Sequence, residues 1–147
     1  MEKEKIWWKK NNGLTDLGHG NDMTYRRKDG KLYVATMGDS VRRITTEGVV
    51  EKEKIKPGYD VGGIACWFNY DKKNNQDAFI LKSGDVFHIV QINGTKVKEI
   101  CNFKIHIDKG KKLNQGICMY KGICHKEGPS IAGRIPYDLR AHQRTSN

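Results

Sequence analysis

Glycine-centred turn pairs at short intervals constrain this chain more than any other feature. Asp29-Gly30, Glu47-Gly48, Ser83-Gly84 and Asn93-Gly94 each divide two short runs of β-branched and aromatic residues. Asp-Gly and Asn-Gly suit two-residue hairpins because both central positions tolerate positive φ. Met23-Thr24-Tyr25 stands before the first pair, and Leu32-Tyr33-Val34-Ala35 after it. Residues 41–46 and 49–55 flank the second, 78–81 and 86–90 the third, and 96–103 follow the fourth. No window of eleven or more residues carries apolar positions at helical spacing. The chain reads as a succession of antiparallel meanders.

The meanders repeat. Gly20-Asn21-Asp22-Met23-Thr24-Tyr25 superposes on Val61-Gly62-Gly63-Ile64-Ala65-Cys66 at an offset of 41, and on Asn114-Gln115-Gly116-Ile117-Cys118-Met119 at an offset of 94. Each copy opens on a tight polar or glycine turn and continues as a buried strand with a small residue at its centre. Second strands are expected over 31–36, 77–82 and 121–125, and third strands over 40–46, 85–91 and 131–138. The first two copies gain fourth strands over 49–56 and 95–105, and a further strand over 5–10 carries Trp7 and Trp8. Twelve strands make three four-stranded units, each the size of a β-propeller blade. Three blades do not close a ring, and an open fan exposes apolar faces at both ends. The expected architecture is therefore all-β, three four-stranded propeller blades forming half of a six-bladed propeller closed by homodimerisation. Residues 1–16 would complete a neighbouring blade, 17–56, 57–105 and 106–139 would be the three blades, and 140–147 a polar tail. A single-chain β-sandwich or barrel with irregular meanders is the alternative.

The segment His19-Gly20-Asn21-Asp22-Met23-Thr24-Tyr25, with Asp29-Gly30-Lys31-Leu32-Tyr33-Val34-Ala35-Thr36 and Val41-Arg42-Arg43-Ile44, resembles blades of six-bladed propellers of Gram-positive bacteria and their phages. Such domains are often labelled teichoic-acid-biosynthesis-like or tail-associated. Gln115-Gly116-Ile117-Cys118 and Arg134-Ile135-Pro136-Tyr137-Asp138-Leu139 resemble first and third strands of these blades, so the likeness spans residues 17–139. Members of the family carry the whole ring in one chain, and this chain has the length of about half. The resemblance implies a fold more than an activity.

In a propeller the first strand of each blade lines the central channel. The loops leading into it open on the same face as those joining second and third strands. Here these are residues 18–22, 60–63 and 113–116, with 36–40, 82–85 and 125–130. They gather His19, Asn21, Asp22, Asp60, Lys82, Asn114, Gln115, His125 and Lys126, with Arg42 and Arg134 nearby on third strands. Amides, imidazoles and cations around a glycine-lined backbone suit phosphate or carboxylate. The plainer reading of Asn, Asp and Gly at such positions is turn formation. Charge points the same way as the loops: 27 Lys+Arg against 17 Asp+Glu give a net charge of +10, which favours anionic partners.

Other chemistries find less in the sequence. Only Asp22 and Asp60 are placed to hold a hard cation, no serine lies in a nucleophile elbow, and no pair of glutamates suggests glycosidase chemistry. Cys118, Cys124, His125 and His106 lack zinc-site spacing, and Cys66 and Cys118 fall at interior strand positions that suit core thiols. No recognition helix, aromatic platform or zinc finger favours nucleic acid. No apolar run spans a membrane, and residues 6–8 are too short for a signal-peptide core, so a cytoplasmic protein is expected. The function expected is binding without turnover. A small anionic, nucleotide-derived ligand would sit at the central face or the dimer seam, as in a phage protein that sequesters a signal of its host's defence. No catalytic residue, metal or cofactor is assigned, and the protein partner is a second copy. Recognition of teichoic acid and processing of a sugar or lactone are the alternatives.

Overall fold

Gly30, Gly84 and Gly94 take φ of 69°, 59° and 61°, and each turns the chain back into an antiparallel neighbour, as the turn pairs predict. The computed structural model describes residues 17–105, 116–120, 123–127 and 133–134. The described residues hold ten strands and no α-helix. β1 (Asp22–Arg26), β2 (Lys31–Ala35) and β3 (Val41–Ile44) form a three-stranded sheet in chain order. β4 (Gly63–Asp71), β5 (Gln76–Ser83), β6 (Val86–Asn93) and β7 (Lys96–Lys104) form a four-stranded meander. β8 (Gly116–Tyr120), β9 (Ile123–Glu127) and β10 (Gly133–Arg134) form a third sheet. All pairings are antiparallel. Among the described residues no helix is long and apolar enough to cross a membrane.

The repeat register is visible in the strands themselves. β1, β4 and β8 begin at Asp22, Gly63 and Gly116, the same position of the three aligned segments. The first unit departs from expectation at its outer side. Residues 49–56 make no continuous strand but touch β3 through two isolated bridges, Val41 with Ile55 and Ile44 with Val50. Lys52, Glu53 and Lys54 lie exposed between the bridges, because three charged residues in a row leave nothing to bury at a sheet edge. In the third unit Tyr120 pairs with Ile123, and the first two residues of the second strand expected over 121–125 lie outside the described residues. The expected strand at 5–10, most of that at 131–138 and the tail at 140–147 lie outside the described residues.

The second sheet is covered on both faces. Ile64, Phe79, Leu81, Val90 and Ile92 pack with Tyr33, Ala35, Val41 and Ile55 of the first unit and with Val61 of the loop leading into β4. On the reverse face Ala65, Trp67, Ala78, Ile80, Phe87 and Ile89 pack with Ile117, and Met119 adds to them. This explains why β5 is buried from Asp77 to Lys82 without alternation. Outermost β7 instead exposes Lys96, Lys98, Glu99 and Lys104, which protects the edge from strand addition.

The three first strands lie side by side, β1 against β4 and β4 against β8. One carboxylate fastens them. Asp22 Oδ2 accepts the backbone N–H of Ile64 at 2.9 Å and of Ile117 at 3.2 Å, and Thr24 Oγ1 accepts that of Cys66 at 3.0 Å. Glycine at 63 permits this reach, since a Cβ there would stand 3.2 Å from Lys82 Cβ and 3.6 Å from Asp22 Oδ2. At the other end of β1 the Arg26 guanidinium meets buried Asp77 at 3.1 Å, and Asp77 also accepts the N–H of Asn69 at the β4 bulge.

Candidate ligand-binding face

The loops that lead into β1 and β4 join the β2–β3 turn in one surface. His19 N–H donates to the Thr36 carbonyl at 3.0 Å and Asn21 N–H to that of Ala35 at 3.0 Å. Across the sheet boundary, Met37 N–H donates to Val61 O at 3.0 Å and Val61 N–H to Gly38 O at 2.9 Å. Gly62 N–H then donates to Lys82 O at 2.8 Å, while Asn21 Nδ2 donates to Gly62 O at 2.6 Å. Backbone from two sheets is thus tied into one platform. Buried Thr36 shapes its centre, donating its hydroxyl to Ser40 O and accepting the N–H of Gly38.

The expected site residues are not all brought to this surface. His19, Asn21 and Asp60 stand on this platform, the His19 and Asp60 side chains exposed. Asp22 and Lys82 adjoin it but face inward: the Asp22 carboxylate is committed to strand amides, and Lys82 is buried beside Gly63. Arg42 is not brought to the face, because its side chain is 2% exposed and Nη2 donates to the Glu51 carbonyl at 2.7 Å. Asn114 and Gln115 lie outside the described residues. His125 pairs with Arg134 and Lys126 with Gly133 in the β9–β10 ladder of the third sheet.

Sequence reasoning missed two components. Met37 sits at φ 62° with its side chain half exposed, and its sulfur lies 3.2 Å from where a Gly62 Cβ would stand. A non-glycine residue in this conformation is strained, and only the neighbouring Thr36, Gly38 and Ser40 hint at such a turn. The second component flanks the platform just before Asp60. The Tyr59 ring stacks on His88 at 3.8 Å between centroids, and His88 Nδ1 is hydrogen-bonded to the Glu99 carboxylate. The Tyr59 hydroxyl is buried without a hydrogen-bond partner among the described residues. Burial, with the Glu99 charge behind it, drives its pKa upward, so the phenol stays protonated. These residues stand far apart in sequence, and no local pattern announces them.

Electrostatics on the platform are mixed. Asp39 and Lys56 form an exposed ion pair at 3.1 Å, of a kind that contributes little. Among the described residues no three His, Cys, Asp or Glu side chains converge as a metal site. Burial pushes the Cys66 thiol up to about 12, which leaves it a protonated core group at neutral pH. The arrangement presents an exposed imidazole on a backbone whose amides are bonded within the platform itself. No protein-family model and no curated protein matches the chain.

Proposed function

We propose that the protein is a binding module without turnover, holding a small anionic, nucleotide-derived ligand on the platform around His19, Asn21 and Gly62. The observation that carries this reading is the backbone hydrogen bonding of Met37, Gly38 and Val61 across two sheets. A surface fastened in this way is preorganised, so a ligand does not have to order it on binding. Gly20 has open space where a side chain would stand, so phosphate can approach the main chain there, and His19 supplies a donor beside it. Retention of a nucleotide signal without altering it suits a protein that withdraws such a signal from the cell that made it.

In this reading the three units are propeller blades, and two copies close the ring. Internal equivalence supports the closure. Ile64 and Cys66 of β4 turn towards the first sheet, and Ile117 and Met119 of β8 turn towards the second. Met23 and Tyr25 occupy the matching positions of β1, yet they are 61% and 56% exposed. A further blade, from a second copy, would cover them as the others are covered.

Thermal shift against nucleotides, cyclic dinucleotides and glycerol phosphates tests the ligand class. At least one nucleotide should raise the melting temperature, and His19→Ala or Gln115→Ala should reduce the shift. No stabilisation by any nucleotide, or variants that bind as well as the parent, would overturn the assignment. Preference for glycerol phosphate polymers would point to cell-wall recognition instead, and recovery of a chemically altered ligand to an enzyme.

A further inference from the structure

The opposite end of the inner hairpins carries a second surface with different chemistry. β1 and β4 run away from the platform to Arg26 and Asp71, so the β1–β2 and β4–β5 turns share the far end. Three contacts hold the two turns together. The Arg26 guanidinium pairs with Asp77, Lys28 Nζ donates to the Asn75 carbonyl at 2.5 Å, and the Arg27 guanidinium lies 4.7 Å from the centroid of the Phe68 ring.

Asp29, Asp71 and Asp77 are occupied from within. Asp77 is taken by Arg26 and the Asn69 N–H. Asp29 accepts the Tyr33 hydroxyl at 2.6 Å and the Lys31 N–H at 3.0 Å. Asp71 accepts both the backbone N–H and the side-chain amide of Asn74, and these bonds hold its carboxyl below the ordinary range. The cations are disposed in the other direction: Arg27, Lys28, Lys72 and Lys73 are all exposed. Between them Phe68, 51% exposed, presents an aromatic surface already stacked by a guanidinium. The irregularity in β4 between Trp67 and Asp71, where Asn69 takes φ 53°, places that ring at the turn end.

We propose that this end binds single-stranded nucleic acid, with Arg27, Lys28, Lys72 and Lys73 meeting phosphates and a base stacking on the Phe68–Arg27 pair. Stacking on an aromatic or guanidinium plane combined with a cationic track is how unpaired strands are held without sequence preference. A duplex hides its base faces and would use only the cations. A strand of several nucleotides can meet cations of both turns while one of its bases stacks on the aromatic pair. The surface is separate from the platform at the other end of β1.

Fluorescence anisotropy of the full chain with a labelled oligothymidylate tests the proposal, beside an abasic oligomer of equal length. Oligothymidylate should bind saturably and lose affinity steeply as salt rises, because phosphate contacts release counterions. Phe68→Ala should weaken it about tenfold and leave the abasic oligomer unaffected, as expected for one lost stacked base. The double variant Lys72→Gln, Lys73→Gln should weaken both oligomers, and melting temperatures should report that both variants stay folded. Equal affinity for the two oligomers, unchanged binding in both variants or no saturable binding would overturn the proposal. So would tighter binding of polyglycerol phosphate than of oligothymidylate. His19→Ala separates this site from the platform: it should leave oligothymidylate binding intact, and a loss would place the strand at the other end.

Discussion

Asp22 shows how one side chain settles the geometry of three strands. Its carboxylate accepts amides from β4 and β8, groups that face the inner edge of their sheets and have no strand beyond them. Asp22→Ala should destabilise the fold by about 1–3 kcal/mol for each amide left unpaired, read from the urea midpoint. Asp77 works at the other end of β1. Its side chain is almost wholly buried against Arg26, and although burial alone would lower the Arg26 pKa, bonds to Tyr33 and Asp77 raise it overall. Asp77→Ala strands a partly buried cation and should cost about 3–5 kcal/mol, more than Asp77→Asn, which keeps the acceptor. Two kinds of titrating side chain bound the pH range. Burial raises the acid groups Cys66, Tyr33 and Tyr70, so folding favours their protonated forms. That stability is complete below the ordinary thiol value of 9.0 and falls as pH climbs towards about 12. Burial works against ionised Glu51, but Lys31 and Arg43 outweigh it and hold its pKa low, so its contribution is present above the ordinary 4.5 and disappears in acid. Denaturation midpoints across pH should therefore fall on both sides, and Glu51→Gln should lessen the fall on the acid side and leave the alkaline side unchanged.

At the scale of the element, hairpins were the most legible part of the sequence. Asp29-Gly30, Ser83-Gly84 and Asn93-Gly94 carry their own backbone instruction, so the pairing of β1–β2, β5–β6 and β6–β7 needs no tertiary information. The register of the first strands was legible too, since Asp22, Gly63 and Gly116 mark one position in each unit. Residues 49–56 misled because Val49, Val50 and Ile55 look like a strand, while the charges between them prevent continuous pairing. The site was harder to read. A carboxylate at the mouth of a strand looks the same in sequence whether it faces a ligand or, as at Asp22, the amides of its neighbours. Phe68 was unreadable as a surface residue because it continues the alternation of β4, and only the bulge after Trp67 alters its setting. Gly63→Ala tests the closeness of the inner strands. With a Cβ 3.2 Å from that of Lys82, the variant should lose about 1–3 kcal/mol and loosen the contact between β4 and β1. Hydrogen exchange at the Ile64 and Cys66 amides, both held by β1 side chains, would report the loosening.

The whole molecule is read as a set of layers in which the second sheet is buried on both sides and the first presents Met23 and Tyr25 outward. If a second copy covers them, Tyr25→Glu should shift the protein towards monomer in light scattering without unfolding it, because a charge there would face the partner's apolar surface. The N-terminal segment belongs to the same question. Removing residues 1–10 should yield monomers or aggregates if that segment completes a blade of the neighbouring copy. A truncated protein that stays dimeric with an unchanged melting temperature would refute the exchange. Dimer and ligand stand together at the centre of the account, and native mass spectrometry of the protein purified from a bacterial host measures both at once. The expected species has twice the 16.8 kDa of one chain and carries a small anionic adduct that is released chemically unaltered. A bare species of 16.8 kDa would contradict it.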